Sequence, residues 1–212
     1  MLSVKEIKEY AIRAFSNSRG SHDWSHTERV CNLCLRIGEA EGADIEVLEI
    51  AALLHDVGRL SQDESNGMIC HAEKGAEIAG NLLKDSPIPD NSKRNIIHSI
   101  QTHRFRRNNR PETIEAKVLF DADKLDSIGA IGIARAFQFA GEVGAKFHNP
   151  YIDLENTEAY SEEDTGYREF KIKLSKIRNR MLTKEGISIA KKRHEYMERF
   201  FDKFLLEYEG GD

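Results

Sequence analysis

Apolar residues recur at three- and four-residue steps along almost the whole chain, the spacing that gathers them on one face of an α-helix. No stretch alternates apolar and polar positions between Asn-Gly or Asp-Gly turns, so no hairpin is predicted. The pattern predicts helices over 4–16, 25–41, 46–57, 71–85, 91–103, 112–125, 127–141, 164–180 and 185–208, and with them an all-α fold. Gly20, Gly42, Gly58, the Pro87/Pro89 pair, Pro111 and Pro150 fall between these helices, as residues that break or end helices should. The acidic stretch from His148 to Gly166 lacks a helical period and is predicted to be a long loop, either a lid or a connector. In the last helix Ile187, Ala190, His194, Met197, Phe201, Phe204 and Leu205 form an apolar stripe that needs a covering surface, its own domain or a second copy of the chain. His194 is read there as a packed or surface histidine.

A chain of 212 residues can bury a sizeable core as a single domain over 1–212. Hydrophobic residues at 40% and charged residues at 32% fit a folded soluble protein rather than a disordered or membrane chain. Lys5, Glu6, Lys8, Glu9 and Arg13 interrupt the first fifteen positions, which argues against a signal peptide or a spanning helix there. A cytoplasmic protein with no membrane partner is expected. The net charge of −5 argues against non-specific adhesion to nucleic acid and favours a small-molecule partner. Three cysteines are too few for a disulfide scaffold, and Cys31-Asn-Leu-Cys34 falls inside a helical pattern with no second Cys pair, so both are expected to be packing residues.

The placement of histidines and aspartates changes the picture most. His26 precedes Val30, Leu33, Cys34 and Ile37 on one helical face, so it extends the buried side. Ile50, Ala51 and Leu54 lead to His55 and Asp56, with Gly58 closing the segment. A buried carboxylate is costly unless it is paired or on a metal, so a His-Asp pair at the inner end of an apolar helix calls for a shared cation. In the run Asp121-Ala-Asp123-Lys124-Leu-Asp126, Asp123 lies four residues after Leu119 and Asp126 seven, on one face, whereas Asp121 points nearly opposite. Asp123 is therefore the candidate ligand and Asp121 the reserve.

The order His26, His55-Asp56, Asp123 resembles the H…HD…D signature of the HD superfamily of metal-dependent phosphohydrolases. Three blocks carry the resemblance: Gly20-Ser-His-Asp-Trp-Ser-His26-Thr-Glu-Arg-Val30, Ala52-Leu-Leu-His-Asp-Val-Gly58 and Asp121-Ala-Asp-Lys-Leu-Asp-Ser-Ile-Gly129-Ala-Ile-Gly-Ile-Ala-Arg135. They are similar to small stand-alone HD hydrolases. The resemblance spans about residues 20 to 150, with a helical extension over 151–212. It implies an all-α HD domain and a divalent metal held by His26, His55, Asp56 and Asp123. Imidazole and carboxylate ligands suit Mn, Fe, Co, Ni, Zn or Mg.

His71 opens a helix with Gly75, Ile78, Ala79 and Leu82 on its face, and His103 ends one after Ile96 and Ile100, so both are expected to point inward at helix ends. The block His71-Ala-Glu-Lys-Gly75-Ala-Glu-Ile-Ala79 resembles the third motif of HD proteins with two metals, which implies a second ion at His71 and His103 bridged by Asp56. Those proteins commonly carry further adjacent histidines, whereas here Thr102 precedes His103, which leaves open a single ion with both rings serving around it as proton donors or phosphate-binding groups.

The expected activity is hydrolysis of a small phosphate ester, a nucleotide or related phosphomonoester or phosphodiester, by metal-activated water with Asp56 in a catalytic role. No Gly-x-Ser-x-Gly or P-loop offers another route. Lys124 and Asp126 are candidates to meet the leaving group or orient the water, though Lys124 reads equally as a solvated lysine. His22 and Asp23 are candidate substrate contacts or helix caps. Arg104 and Arg106, in the run Arg104-Phe-Arg106-Arg107-Asn-Asn-Arg110, are candidate phosphate ligands or a solvated loop. The same scaffold also supports di-iron oxygenases and non-catalytic metal-containing sensors, and the pattern fits a monomer or a homodimer.

Overall fold

Ser3 opens the first helix with a capping box: its Oγ accepts from Glu6 N, while its own N–H donates to Glu6 Oε2 at 2.8 Å. The computed structural model describes residues 3–15, 24–104, 109–154 and 156–212, and among these there is helix and no strand. The helices are α1 Val4–Ala14, α2 Trp24–Glu41, α3 Ile45–Leu54, α4 Arg59–Glu64, α5 His71–Leu83, α6 Asp90–Thr102, α7 Ile114–Leu125, α8 Gly129–Glu142, α9 Gly166–Ile172, a 3-10 helix Leu174–Arg180 and α10 Lys184–Tyr208. None of the described helices is long and apolar enough to cross a membrane.

The chain forms two compact units. The first comprises residues 1–123 with the short return segment 182–185. Its centre is α3, whose residues from Val47 to Leu54 are buried except Glu49, so an element of only ten residues is surrounded by others rather than laid on a surface. Asp44 caps it by accepting from Val47 N at 3.2 Å. α2, α6 and α1 pack around α3, and α5 pairs with α6. The return segment is anchored from α7: the Asp121 carboxylate accepts from Leu182 N at 2.9 Å, Thr183 N at 2.8 Å and Thr183 Oγ at 2.7 Å.

The second unit comprises residues 124–181 and 186–212. Its core is aromatic: Phe170 stacks on Phe201 at 4.6 Å between centroids, with Phe137 and Tyr167 against the same Phe201 ring. The middle of the stripe on α10, from Ala190 to Phe201, is thus covered from within its own unit, while Ile187 is exposed; His194 is buried on it, 3.1 Å from Glu198. The 148–166 stretch is a non-helical connector over its described residues, and buried Arg168 ties it down. Its guanidinium donates to Asp164 Oδ1 at 2.5 Å and to Thr157 Oγ1 at 2.6 Å, and Asp164 Oδ2 accepts from Tyr160 N. A fully paired buried arginine is an anchor rather than a hinge, which favours the connector over the lid. The helix expected over 164–180 is broken at Lys173, where ψ of −57° pairs with a φ of −124°, and continues as the 3-10 helix.

Two features of the first unit differ from the sequence pattern. The third helix ends at Leu54, so His55 to Gly58 form a turn, and a short helix, α4, follows at once. α4 has no buried residue and exposes Leu60, which leaves no apolar period to read.

Candidate metal centre

Five helix ends of the first unit deliver the candidate ligands. His26 lies in the first turn of α2, His55 and Asp56 in the turn after α3, His71 at the start of α5, His103 just after α6, and Asp123 in the last turn of α7. The close approach of the His55–Gly58 turn to α5 depends on two glycines. A Cβ on Gly58 would collide with the His71 carbonyl and lie 2.6 Å from Gly75 N, and one on Gly75 would lie 3.2 Å from the His55 carbonyl. His26, His55, Asp56, His71 and His103 are each no more than 2% exposed, while Asp123 is partly open.

The six residues fall into two groups whose ligand atoms lie within 4.8 Å of one another: His26, His55 and Asp123, and Asp56, His71 and His103. In the first, the Nε2 atoms of His26 and His55 face each other at 3.3 Å, and Asp123 Oδ1 is 3.5 Å from His26 Nε2. In the second, the Nε2 atoms of His71 and His103 face each other at 3.2 Å. Asp56 addresses both groups. Its Oδ1 lies 3.1 Å from His71 Nε2 and 3.7 Å from His103 Nε2, while Oδ2 lies 3.8 Å from His55 Nε2 and 3.9 Å from His26 Nε2.

The donor chemistry fits divalent ions. A carbonyl oxygen only accepts, so the contacts of His55 Nδ1 with Ala52 O at 2.7 Å and of His103 Nδ1 with Ile100 O at 2.6 Å put the ring proton of each on Nδ1. The Nε2 lone pairs of both rings then point into the two groups. Burial keeps His55 and His71 neutral: it pushes His55 down to about 4 and His71 down to about 2. Burial would raise the Asp56 carboxyl, but the polar and charged groups around it, the Arg59 guanidinium among them, outweigh that and hold it well below the usual carboxylate range. Arg59 Nη2 bonds Asp56 Oδ2 at 3.0 Å. Imidazole nitrogens around an ionised carboxylate form a ligand set for a transition-metal dication.

Residues 23–128, half of the chain, match the model of the HD domain. The chain belongs to the HD domain family. The Bacillus subtilis protein YpgQ is 32% identical, with 99% of this chain and 95% of that protein covered. A crystal structure of YpgQ in complex with ADP superposes with a TM-score of 0.72 at 31% identity, covering 95% of this chain and 92% of that one. An HD-superfamily hydrolase from Bacillus thuringiensis superposes at 0.77 with 29% identity, over 97% and 96% of the two chains. Ribonuclease Y of Chloroflexus aurantiacus is 30% identical over 56% of this chain and 21% of that enzyme.

Within the HD domain the other candidates have the following positions. Asp121 is fully buried and occupied with Leu182 and Thr183. Arg104 Nη1 donates to Gln62 Oε1 at 2.9 Å and lies 3.2 Å from His71 Nδ1, which puts it beside the second group. His98, out of phase with the buried face, accepts from Glu112 N. His22, Asp23 and Arg106 lie outside the described residues. Lys124 and Asp126 belong to the second unit; there Asp126 is buried and paired with Arg135 Nη1 at 2.7 Å, and the Lys124 carbonyl accepts from Ser127 Oγ. Cys31 and Cys34 are free thiols, and burial pushes Cys31 up to about 12, which removes it as a nucleophile.

Sequence reasoning missed Arg59 and Gln62. Both lie on α4, the helix with no apolar period, and the only available signal was the position of Arg59 directly after the His-Asp turn.

Proposed function

We propose that this HD protein is a metal-dependent hydrolase of small phosphate esters, with nucleotides as the first substrate class to examine. The observation that carries the reading is Asp56, a buried, ionised carboxylate whose two oxygens face two separate pairs of imidazoles. His26, His55 and Asp123 would hold one divalent ion, His71 and His103 a second, and Asp56 would be shared between them. When bound, such ions supply Lewis-acid polarisation of a phosphoryl oxygen and a lowered pKa for the attacking water.

The protein's part is electrostatic and positional. Rings whose Nδ1–H groups donate to backbone carbonyls keep their Nε2 lone pairs available without reorganisation. Asp56 stays ionised and is assigned both as a ligand and as the group that orients the attacking water. Arg59 and Arg104 bring guanidinium donors to the edge of the centre, suited to phosphate oxygens. The ADP complex of YpgQ supports a nucleotide as the ligand class. We place the protein in the cytoplasm.

Incubating the manganese-loaded protein with nucleoside mono-, di- and triphosphates and sugar phosphates should release phosphate or pyrophosphate, and release should cease with a chelator. Two bound irons with oxygen uptake and no ester hydrolysis would establish the oxygenase instead. Stoichiometric metal without turnover on either panel would establish a sensor.

A further inference from the structure

Gln62, on α4, places its side-chain amide between a candidate metal ligand and an arginine. One amide atom lies 2.9 Å from Arg104 Nη1, 3.0 Å from His71 Nδ1 and 3.4 Å from His71 N. A guanidinium nitrogen and a peptide N–H only donate, so the amide atom facing both is the oxygen. An oxygen 3.0 Å from Nδ1 is an attractive contact only when the His71 ring proton sits on Nδ1, and that leaves the Nε2 lone pair facing Asp56 Oδ1 and His103 Nε2.

Arg104 acts in the opposite sense. Its Nη1 is 3.2 Å from the same Nδ1, and since it can only donate it favours a bare Nδ1. The proton then sits on Nε2 and donates to Asp56 Oδ1, 3.1 Å away. The ring keeps one proton in both arrangements; only its seat changes. With the proton on Nε2, His71 hydrogen-bonds Asp56 and cannot ligate through that atom; with the proton on Nδ1 it can.

We propose that Gln62 is a positioning residue that holds His71 in the tautomer able to bind a metal, that Arg104 competes for the same ring nitrogen, and that a phosphate drawing Arg104 away strengthens the Asp56–His71–His103 site. This rests on the metal reading above. The arrangement makes the two ligands cooperative, and by linkage the ion tightens phosphate binding by the same factor. An ion at this site also repels the nearby guanidinium, which acts in the same direction.

Two measurements on the full chain separate the parts. Long-range nitrogen–proton NMR of the metal-free protein reads the His71 tautomer: the Nδ1–H form should be populated in the wild type and replaced by the Nε2–H form in Gln62→Leu. The same tautomer in both proteins overturns the role of Gln62. Manganese titration followed by electron paramagnetic resonance should show two sites. Gln62→Leu should weaken the second by about tenfold or more and leave the first unchanged; equal weakening of both, or of neither, counts against the proposal. Arg104→Gln should tighten the second site without phosphate and abolish the tightening that millimolar inorganic phosphate produces in the wild type. A phosphate response that survives in Arg104→Gln overturns the competition. If the wild type binds no manganese, the metal reading fails, while the NMR result still tests Gln62 separately.

Discussion

Asp56 Oδ1 lies 3.1 Å from His71 Nε2, joining the turn after α3 to the first residue of α5. That approach depends on Gly58, because a side chain there would strike the His71 carbonyl. Gly58→Ala should therefore force the turn and α5 apart. The overpacking should cost about 1–3 kcal/mol and weaken metal binding at the Asp56–His71–His103 group. Denaturant unfolding and manganese titration check both effects; wild-type values in both would show that the contact has slack.

Asp56→Ala and His55→Ala each remove a donor from a buried set that has few others. Both should abolish tight metal binding and the phosphate release that depends on it. Metal content of the purified variants, by mass spectrometry, is the direct measure. Full stoichiometric metal in both would remove the basis of the proposed centre.

The two aspartates at the end of α7 should separate cleanly. Asp123 faces His26, whereas Asp121 receives hydrogen bonds from Leu182 N, Thr183 N and Thr183 Oγ. Asp121→Ala should strand those buried donors, destabilise the fold by about 3 kcal/mol and keep its metal under native conditions. Asp123→Ala should lose metal affinity with little change in stability. The reverse pattern would mean that the roles are exchanged.

Acidification should destabilise the metal-free protein. His55 and His71 are held at about 4 and about 2 by burial, below the ordinary 6.5, so below pH 6.5 the unfolded chain binds more protons than the folded one. The stability they contribute is complete above about pH 6.5, falls with pH, and for His55 is lost by about pH 4. If its whole shift is expressed, His55 alone accounts for about 3 kcal/mol. Asp56, with a depressed pKa, adds loss of the same sign at more acid pH. Thermal melts in chelator from pH 7.5 to 4 should show a steep decline, and a flat profile would mean the rings are solvated.

Asp126 should prove structural. It is buried and paired with Arg135, and removing one partner of such a pair leaves the other's charge uncompensated, at a cost of about 3–5 kcal/mol. Asp126→Ala should lower the unfolding midpoint while the metal content of the folded protein is unchanged. A catalytic Asp126 would instead give a stable variant with normal metal and low turnover.

Much of the fold could be read along the chain. The three- and four-residue steps placed the long helices, because periodicity is a property of one helix and its own residues. The same phase put His26 with Val30, Leu33 and Ile37 and separated Asp123 from Asp121, a difference of two residues, about 200° around the axis. α4 escaped because six mostly polar residues with no buried face carry no period, and with it went Arg59 and Gln62. The break at Lys173 escaped because its residues continue an acceptable helical pattern.

The sequence by itself determined an all-α chain, the inward phase of its histidines and the HD signature that marks its family. Only the tertiary structure decided that His26 meets His55 and His71 meets His103, that Asp56 turns one oxygen to each pair, and that Gln62 and Arg104 contend for His71. The physical reason is range. Side-chain phase is set within a single helix, whereas the distance between two helix ends is set by how closely the helices pack, here by two glycines whose missing side chains bring the His-Asp turn against α5.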